Sequence, residues 1–184
     1  MKNLILLSGP VAVGKTTLKD ALVSSCDVGF DYLRSGAYLL KRAQAENRPT
    51  DRRGLQDLGD SLDEATDYRW IVDEVALPVM ASSEAMFWLV DAVRKERQVE
   101  HFRSLRQAKI LHVHLTAPES VIRERYRRRA AVGGHALAEY AALINHPNEI
   151  ESRSLISIAD LVLDTSQADT DSYVERIFTA LARA

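Results

Sequence analysis

Short apolar runs alternate with amphipathic segments along most of the chain. An uninterrupted apolar run fits a strand that is buried on both faces, whereas apolar residues three or four positions apart fit a helix. The pattern predicts strands at residues 4–7, 28–33, 87–91, 110–115 and 161–163. Because helical segments separate these strands, we expect an α/β fold in which helices cover both faces of a parallel sheet.

Two details of the helices follow from single residues. Thr50 is a candidate N-cap for a helix that begins near Asp51, since its hydroxyl could accept a hydrogen bond from a free backbone amide of the first turn. The segment from Trp70 to Val79 also has a helical pattern, and Pro78 should end or kink it because proline has no amide hydrogen.

The first predicted strand runs directly into the segment GPVAVGKTT at residues 9–17. Four residues separate Gly9 from the sequence Gly14-Lys15-Thr16, which is the spacing of a phosphate-binding loop. Glycines allow successive amides to point at phosphate oxygens, the lysine adds a positive charge, and the threonine hydroxyl can bind Mg²⁺. The sequence therefore predicts a nucleotide site at Gly9, Ala12, Val13, Gly14, Lys15, Thr16 and Thr17.

Composition narrows the class of protein. The 184 residues suffice for one ordinary domain with a substantial core, and the formal net charge is −2. This charge gives no electrostatic reason to expect nucleic acid or an anionic membrane as a partner. One cysteine, Cys26, excludes an internal disulfide and a cysteine-rich zinc site. The apolar run at residues 4–7 is too short for a targeting or membrane segment, so we expect a cytoplasmic protein.

Phosphate loops occur in motors, GTPases and kinases, so other residues must discriminate among these classes. The chain has no Asn-Lys-x-Asp segment, which a guanine-binding GTPase would normally carry. Residues 51–54 match the D-x-x-G motif of GTPases, but they begin a predicted helix instead of ending a strand, so we treat the match as chance. Asp91 ends an apolar run and is followed by Ala92 rather than by a glutamate that could activate water. This pattern favours phosphate transfer to an acceptor over hydrolysis.

Five segments, taken in order, resemble the nucleoside-monophosphate-kinase branch of the phosphate-loop kinases, the relatives of adenylate kinase and dephospho-CoA kinase. They are GPVAVGKTT at 9–17, RSGAYLLKR at 34–42, FWLVDAVR at 87–94, LTAPESVIRERYRRR at 115–129 and ADLVLDTS at 159–166. The resemblance implies one domain over residues 1–184, three layers thick, with a five-stranded parallel sheet whose middle strand precedes the phosphate loop. It also implies a helical acceptor region at about 34–82 and a mobile lid at about 123–148.

The resemblance assigns the start of the acceptor helix to Ser35 and Gly36. The family usually has an acid directly after this glycine and an arginine four residues after it, whereas this chain has Ala37 and Leu40 at those positions. Three nearby cations could supply the missing charge: Arg34, Lys41 and Arg42.

The resemblance also implies a set of residues around the transferred phosphate. Lys15 would hold the donor phosphates, Asp91 and Thr16 would place Mg²⁺, and Arg94 would hold an acceptor phosphate. The paired lid arginines of the family correspond to Arg125 and Arg129.

Helical spacing adds two weaker expectations. Arg128 shares the helix face of Arg125 and Arg129 and is expected at the site, whereas for Arg123 and Arg127 a solvated face is as good an account. The helix that follows residue 51 carries two more candidates for acceptor binding, although an ordinary helix surface explains them equally well: Arg53 and Gln56.

These residues together predict a kinase that depends on ATP and Mg²⁺ and phosphorylates a small molecule, with a nucleoside or deoxynucleoside monophosphate as the first candidate. Two alternatives stay open: a kinase of a non-nucleotide metabolite, and an ATP-binding regulatory module without turnover. We expect no nucleic-acid or membrane partner, and a monomer or a homodimer.

Overall fold

The central sheet has five parallel strands in the order β2-β3-β1-β4-β5. The computed structural model describes residues 1–25, 30–91, 93–133, 138–167 and 169–183. The strands are β1 (Lys2–Ser8), β2 (Phe30–Leu33), β3 (Phe87–Asp91), β4 (Ala108–Thr116) and β5 (Leu161–Asp164). The predicted three-layer α/β architecture, with the phosphate-loop strand in the middle of the sheet, is confirmed.

The helices lie between these strands and after the last of them. They are α1 (Lys15–Ser24), α2 (Ser35–Ala45), α3 (Arg52–Ala65), α4 (Leu77–Ala81), α5 (Glu96–Arg103), α6 (Glu119–Gly133), α7 (Ala138–Ile144), α8 (Pro147–Ser154) and α9 (Thr170–Arg183). A π-helical segment, Ile71–Ala76, leads into α4, and a 3₁₀ segment, Leu155–Ile158, follows α8. Among the described residues, none of these helices has both the length and the apolar character needed to cross a bilayer.

Strand β1 supplies both faces of the sheet with apolar side chains. Leu4 and Leu6 belong to one buried cluster and Ile5 and Leu7 to the other, and all four are 0% exposed. Burying a leucine or isoleucine side chain fully contributes roughly 1.5–3 kcal/mol. This uninterrupted burial explains why the run carries no polar alternation, and it fixes the strand that leads into the phosphate loop.

The start of α3 differs from the prediction. Asp51 is the N-cap, and its side chain accepts a hydrogen bond from the amide of Gly54 at 2.8 Å, so the expectation that Thr50 caps this helix is wrong. The chain is tightly folded here, because a Cβ on Gly54 would lie 2.5 Å from the carbonyl oxygen of Pro49. The carboxylate of Asp51, one residue after Thr50, is the side chain that reaches the free amide of Gly54 in the first turn.

Pro78 does not end the helical segment that contains it. The wider π-helical turns of Ile71–Ala76 come first, and Pro78 then lies in the first turn of α4. Proline is tolerated there because its missing amide hydrogen has no partner to lose. The predicted kink thus takes the form of a change in helix type before the proline.

Strand pairing brings the predicted site residues to one edge of the sheet. Leu7 pairs with Asp91 and Ser8 pairs with His114. The phosphate loop therefore begins between two neighbouring strands, with the end of β3 on one side and β4 on the other. Thr116 pairs with Asp164 at the same edge. Parallel sheets of this class bind ligands where their strands end. Cys26 and residues 28–29 of the second predicted strand lie outside the described residues.

Candidate active site

The phosphate loop adopts backbone angles that its two glycines make possible. Gly9 has φ +133° and Gly14 has φ +111°, both outside the region that other residues adopt readily. A Cβ on Gly9 would lie 2.4 Å from the carbonyl oxygen of Leu115, so β4 can approach the loop closely. Gly14 is the N-cap of α1 and brings no side chain to its first turn, which leaves those amides available to a ligand.

Lys15 folds back onto the loop. Its ammonium group donates hydrogen bonds to the carbonyl oxygens of Gly9 at 2.6 Å and Pro10 at 2.8 Å. Burial lowers the pKa of Lys15 to about 8, and the nearby carboxylates of Asp91 and Glu149 oppose this shift. A charge that is partly desolvated in this way interacts strongly with any anion that enters the cavity.

Asp91 lies at the end of β3 and faces two cavities. The hydroxyl of Tyr32 donates a hydrogen bond to its carboxylate at 3.0 Å. Burial and this carboxylate raise the pKa of Tyr32 to about 12, so the phenol keeps its proton and orients Asp91. The predicted metal-binding carboxylate therefore has one oxygen held by Tyr32, while the side chain as a whole borders both cavities.

The larger cavity has a volume of about 850 Å³ and contains the phosphate loop. It brings together most of the predicted residues, namely Gly9, Ala12, Gly14, Lys15, Thr16, Thr17, Gln56, Asp91, Arg94, Arg125 and Arg129. Val13 is an exception, because its side chain is fully buried in the core and only its backbone serves the loop. We call this space the donor cavity.

The two predicted lid arginines differ in their contacts. Arg125 donates from Nη1 to the carbonyl oxygen of Val13 at 3.1 Å and from Nη2 to that of Thr165 at 2.9 Å. It thereby joins the phosphate loop to the end of β5. Arg129 is exposed and its guanidinium lies 5.8 Å from the ring centre of Tyr126. Both arginines line the donor cavity, but only Arg125 is fixed by hydrogen bonds to the loop.

The remaining arginines of α6 are engaged at the surface. Arg127 and Arg128 both form ion pairs with Glu124, at 2.9 and 2.8 Å, and both are exposed. The expectation that Arg128 shares the site is therefore not met in this structure, whereas the solvated face foreseen for Arg127 is observed. Intrahelical pairing with a glutamate three or four residues earlier explains this result.

The smaller cavity, of about 470 Å³, shares Asp91 and Arg94 with the donor cavity. It is also lined by Arg34 and Gly36, as predicted, and by Lys19 and Tyr32, which sequence reasoning missed. Lys19 could have been found from its place one helical turn after Lys15. We call this space the acceptor cavity; its complete lining is Lys19, Tyr32, Arg34, Ser35, Gly36, Ala37, Asp91 and Arg94.

Tyr32 lies between two of the cations of the acceptor cavity. The ammonium group of Lys19 is 5.4 Å from its ring centre and the guanidinium of Arg34 is 5.3 Å from it. Such contacts orient cations without neutralising them. With Arg94, the lining has three cations and one carboxylate, Asp91, and Lys19 also forms an ion pair with Asp20 at 2.9 Å. The cations still outnumber these carboxylates, so the cavity favours a negatively charged ligand.

Other acceptor candidates lie elsewhere. Arg53 is exposed and borders neither cavity in the part of the chain that the structure describes. Gln56 lines the donor cavity, where its side-chain amide lies 2.9 Å from Nε2 of His146. Arg42 pairs with Glu74 at 2.7 Å, outside both cavities, and Lys41 does not line them either. Of the three cations proposed for the missing charge, the acceptor cavity contains Arg34.

Helix α8 provides contacts to the phosphate loop that no motif indicated. The carboxylate of Glu149 accepts a hydrogen bond from the amide of Val11 at 3.0 Å, and the hydroxyl of Ser152 donates to the carbonyl oxygen of Gly9 at 3.1 Å. These contacts join residues about 140 positions apart in the sequence. Helical periodicity predicts that α8 exists but cannot predict which part of the fold it touches.

Two buried histidines lie behind the loop. Ser8, directly before Gly9, has its hydroxyl 2.7 Å from Nε2 of His112 and 2.9 Å from Nδ1 of His114. Nδ1 of His112 faces the carbonyl oxygen of Ile158 at 3.4 Å and so carries a proton. Proton donation therefore runs from His114 through Ser8 to His112. Burial lowers the pKa of both rings, that of His114 to about 4, so both are neutral.

The residues of the donor cavity fit a magnesium nucleotide. One loop amide already binds a carboxylate oxygen, that of Glu149, which stands in for an anionic ligand. The ammonium of Lys15 is bonded only to carbonyl oxygens and can turn to phosphate oxygens. Thr16 and Asp91 present the hydroxyl and carboxylate oxygens that Mg²⁺ prefers.

Comparisons with known proteins agree with this architecture. Residues 5–135 match a family described as AAA domain. No curated protein matches the chain. A shikimate kinase from Bacteroides thetaiotaomicron is 18% identical, with 97% of this chain and 98% of that chain covered and a TM-score of 0.56.

Two further solved structures have the same fold. A shikimate kinase from Aquifex aeolicus is 15% identical, with 97% of this chain and 96% of that chain covered and a TM-score of 0.52. An uncharacterized protein from Eubacterium ventriosum is 9% identical over 100% of both chains, with a TM-score of 0.58. At these identities the likeness concerns the fold. The family match spans well over half of the chain, which therefore belongs to the AAA domain family.

Proposed function

We propose that the protein transfers the γ-phosphate of ATP to a small acidic acceptor. One observation carries this proposal: Asp91 and Arg94 line both the donor cavity and the acceptor cavity. A phosphate loop alone would support nucleotide binding, whereas a second, cation-rich cavity that shares these two side chains supports transfer between two bound molecules.

The donor side has a role for each charged group. Lys15 and the loop amides hold the donor phosphates, and Thr16 and Asp91 hold Mg²⁺, which would neutralise charge on the phosphate oxygens. Tyr32 keeps Asp91 in place through its hydrogen bond. No side-chain nucleophile is required, because positioning and charge stabilisation account for catalysis in this class of reaction.

The acceptor side is selective for charge. Three cations, Lys19, Arg34 and Arg94, outnumber the two carboxylates near them, Asp91 and Asp20, so an acceptor that brings a phosphate or a carboxylate balances the cavity. A nucleoside or deoxynucleoside monophosphate meets this requirement and remains the first candidate. An acidic metabolite that is not a nucleotide is the second candidate. It is favoured by the position of Arg53 outside the cavities and by the contact of Gln56 with His146, which leave few groups to bind a base.

The moving parts follow from the same assignment. We propose that residues 34–82 form the acceptor region and residues 123–148 the lid, within one domain of 184 residues. Arg125 and Arg129 would then approach the transferred phosphate when the lid closes, and both already line the donor cavity. A monomer or homodimer in the cytoplasm remains our prediction.

A panel of acceptors tests the proposal. Radiolabelled ATP and Mg²⁺ are incubated with the nucleoside monophosphates, their deoxy forms, sugar acids, hydroxy acids and phosphorylated metabolites, and with matched neutral compounds such as the parent nucleosides and sugars. The labelled products are then separated. We expect transfer to at least one acidic member and to none of the matched neutral compounds. ATP binding without transfer to any acceptor would contradict the proposal and support the regulatory module instead.

A further inference from the structure

Glu149 occupies the phosphate loop in this structure. Its side chain is 10% exposed, and Oε1 accepts hydrogen bonds from the amide of Val11 at 3.0 Å and from Nε of Arg153 at 3.2 Å. Val11 is within the loop and lines the donor cavity. A carboxylate of helix α8 therefore uses a loop amide beside Lys15, in the cavity that the donor phosphates would enter.

Donor phosphates and Glu149 carry the same charge. Glu149 is close enough to Lys15 to influence its pKa, so phosphates bound at that lysine would lie near the carboxylate. Because the Glu149 side chain is only 10% exposed, two anions here repel each other more strongly than they would in solvent. Binding of a polyphosphate therefore favours a position of Glu149 away from the loop.

Arg153 offers that second position. Its Nη1 pairs with Glu119 at 2.9 Å, while its Nη2 is the one buried side-chain nitrogen or oxygen without a hydrogen-bond partner among the residues that the structure describes. In the present position, Glu149 uses only Nε of this guanidinium. If the carboxylate left Val11, it could accept from Nε and Nη2 together, in the parallel two-bond geometry that arginine and carboxylates prefer.

We propose that Glu149 competes with the donor phosphates for the loop, bonding to Val11 in the free protein and to both Nε and Nη2 of Arg153 when nucleotide is bound. This inference rests on the proposed donor site but not on any acceptor. Because Ser152 of α8 also donates to Gly9, and His146 at the start of α8 lies against Gln56, movement of Glu149 would be transmitted to a helix that contacts both the phosphate loop and α3.

Binding measurements test this competition without turnover. Calorimetric affinities for adenosine, ADP, ATP and inorganic pyrophosphate are compared between the wild type and Glu149→Gln, whose amide oxygen can still accept from Val11. We expect the variant to bind ATP and pyrophosphate about tenfold more tightly, since one like charge is removed from a largely buried position beside the phosphates. Adenosine, which has no phosphate, should bind equally to both proteins.

Two further variants sharpen the result. Glu175→Gln removes the same charge from an exposed position on α9 and should change no affinity. Arg153→Lys keeps the positive charge but lacks the second parallel N–H, so ATP should bind about threefold more weakly while adenosine binding is unchanged. This second variant also tests the proposal if Glu149→Gln does not fold.

The outcomes separate this inference from the proposed function. Equal or weaker binding of ATP and pyrophosphate by Glu149→Gln would overturn the competition, as would an equal gain for adenosine. A normal ATP affinity with a large loss of kcat would instead make Glu149 a catalytic residue. If the wild type binds ATP and shows the expected charge dependence but phosphorylates no acceptor, the proposed function fails while the competition stands.

Discussion

The donor and acceptor cavities share a wall but differ in how their charges are held. In the donor cavity, Lys15 bonds to two loop carbonyls and Arg125 bonds to the loop and to Thr165. In the acceptor cavity, Arg34 lies over an aromatic ring, and Arg94 donates from its backbone amide to Gln98, whereas its guanidinium has no hydrogen bond or ion pair among the described residues. Lys15 and Arg125 are thus hydrogen-bonded before a ligand arrives, whereas the guanidinium groups of Arg34 and Arg94 have no such partner among the described residues.

This difference has a consequence for stability and function. A ligand in the donor cavity must replace hydrogen bonds that the free protein already has, so a donor-side substitution removes contacts within the free protein as well as contacts with the ligand, and its main effect should be on turnover. A ligand in the acceptor cavity satisfies exposed charges, so acceptor-side substitutions should change affinity with little cost to folding. The four predictions below test this contrast.

The largest effect is expected for Lys15→Ala. Removal of the cation that holds the donor phosphates should lower phosphoryl transfer by at least about 10³-fold, since charge stabilisation supplies most of the catalysis in this reaction class. The melting temperature should stay within about 3 °C of the wild type, because the two lost hydrogen bonds are offset by relief from desolvating an ammonium group.

Circular dichroism and a thermal melt of the same preparation provide the control for folding. Lys109→Ala, a lysine of β4 that lines neither cavity as described, removes an equal charge and should retain full activity. Near-normal phosphoryl transfer by Lys15→Ala would contradict the assignment of Lys15 to the donor phosphates.

On the acceptor side, Arg94→Ala should raise the KM for the acceptor about 100-fold, since a hydrogen bond to a charged group is worth up to about 3 kcal/mol. The KM for ATP should change much less, because Lys15 and the loop amides hold the donor. Initial-rate measurements with each substrate varied in turn give both constants.

Arg106→Ala is the matched control, since Arg106 is exposed and lies outside both cavity linings. A melting temperature equal to that of the wild type is part of the prediction for Arg94→Ala. An equal rise in both KM values would show that Arg94 does not discriminate between the two sites.

The buried His114, which lies behind the phosphate loop, should make the free energy of unfolding depend on pH. The pKa of His114 is lowered to about 4 by burial, so between pH 6.5 and 4 the unfolded chain binds a proton that the folded protein does not. The free energy of unfolding should therefore fall by on the order of 2–3 kcal/mol as the pH drops through this window. Urea unfolding at half-unit pH steps measures the slope.

His114→Asn isolates this contribution. The amide can still donate to Ser8 but does not titrate, so its stability curve should be flatter than that of the wild type between pH 6.5 and 4. Parallel curves for the two proteins would mean that another group causes the acid dependence.

The sequence predicted the donor side well because its information is local. Strand, loop and helix follow one another within residues 2–24, and the spacing of Gly9 and Gly14 specifies the backbone. The positions of the strands along the chain and their parallel type were also predictable, since buried apolar runs separated by helices are long enough to be recognised. The capping role of Asp51 was missed because two adjacent residues could both have capped α3, and only the tight turn at Pro49 decides between them.

The acceptor side could be predicted only in part because its residues come from three separate segments. Lys19 lies on α1, Arg34 follows β2 and Arg94 follows β3, and only the order of strands brings them together. The position of Glu149 at the phosphate loop depends on how α8 packs against the rest of the fold, which no local sequence pattern predicts. Arg53 was misplaced for the same reason, since helical spacing does not determine which face of α3 meets a cavity.

The smallest effect, and the sharpest test of the contrast, is expected for Gly36→Ala. A Cβ at this position would meet no atom within 4 Å in the free protein, although the residue lines the acceptor cavity. Alanine is favoured over glycine in a helix by about 0.5–1 kcal/mol, so the variant should be at least as stable as the wild type. Its added methyl group would lie in space that we assign to the acceptor, and the acceptor KM should rise about tenfold.

Gly59→Ala separates the two effects. Gly59 is a helical glycine of α3, where a Cβ would make an ordinary 3.5 Å contact with Cδ1 of Leu39, away from both described linings. It should gain similar stability with no change in either KM. If Gly36→Ala behaved in the same way, the space beside Gly36 would not hold the acceptor, and the charge surplus of Lys19, Arg34 and Arg94 would need another explanation. A selective loss of acceptor affinity in a protein of undiminished stability can arise only if that space is filled during the reaction.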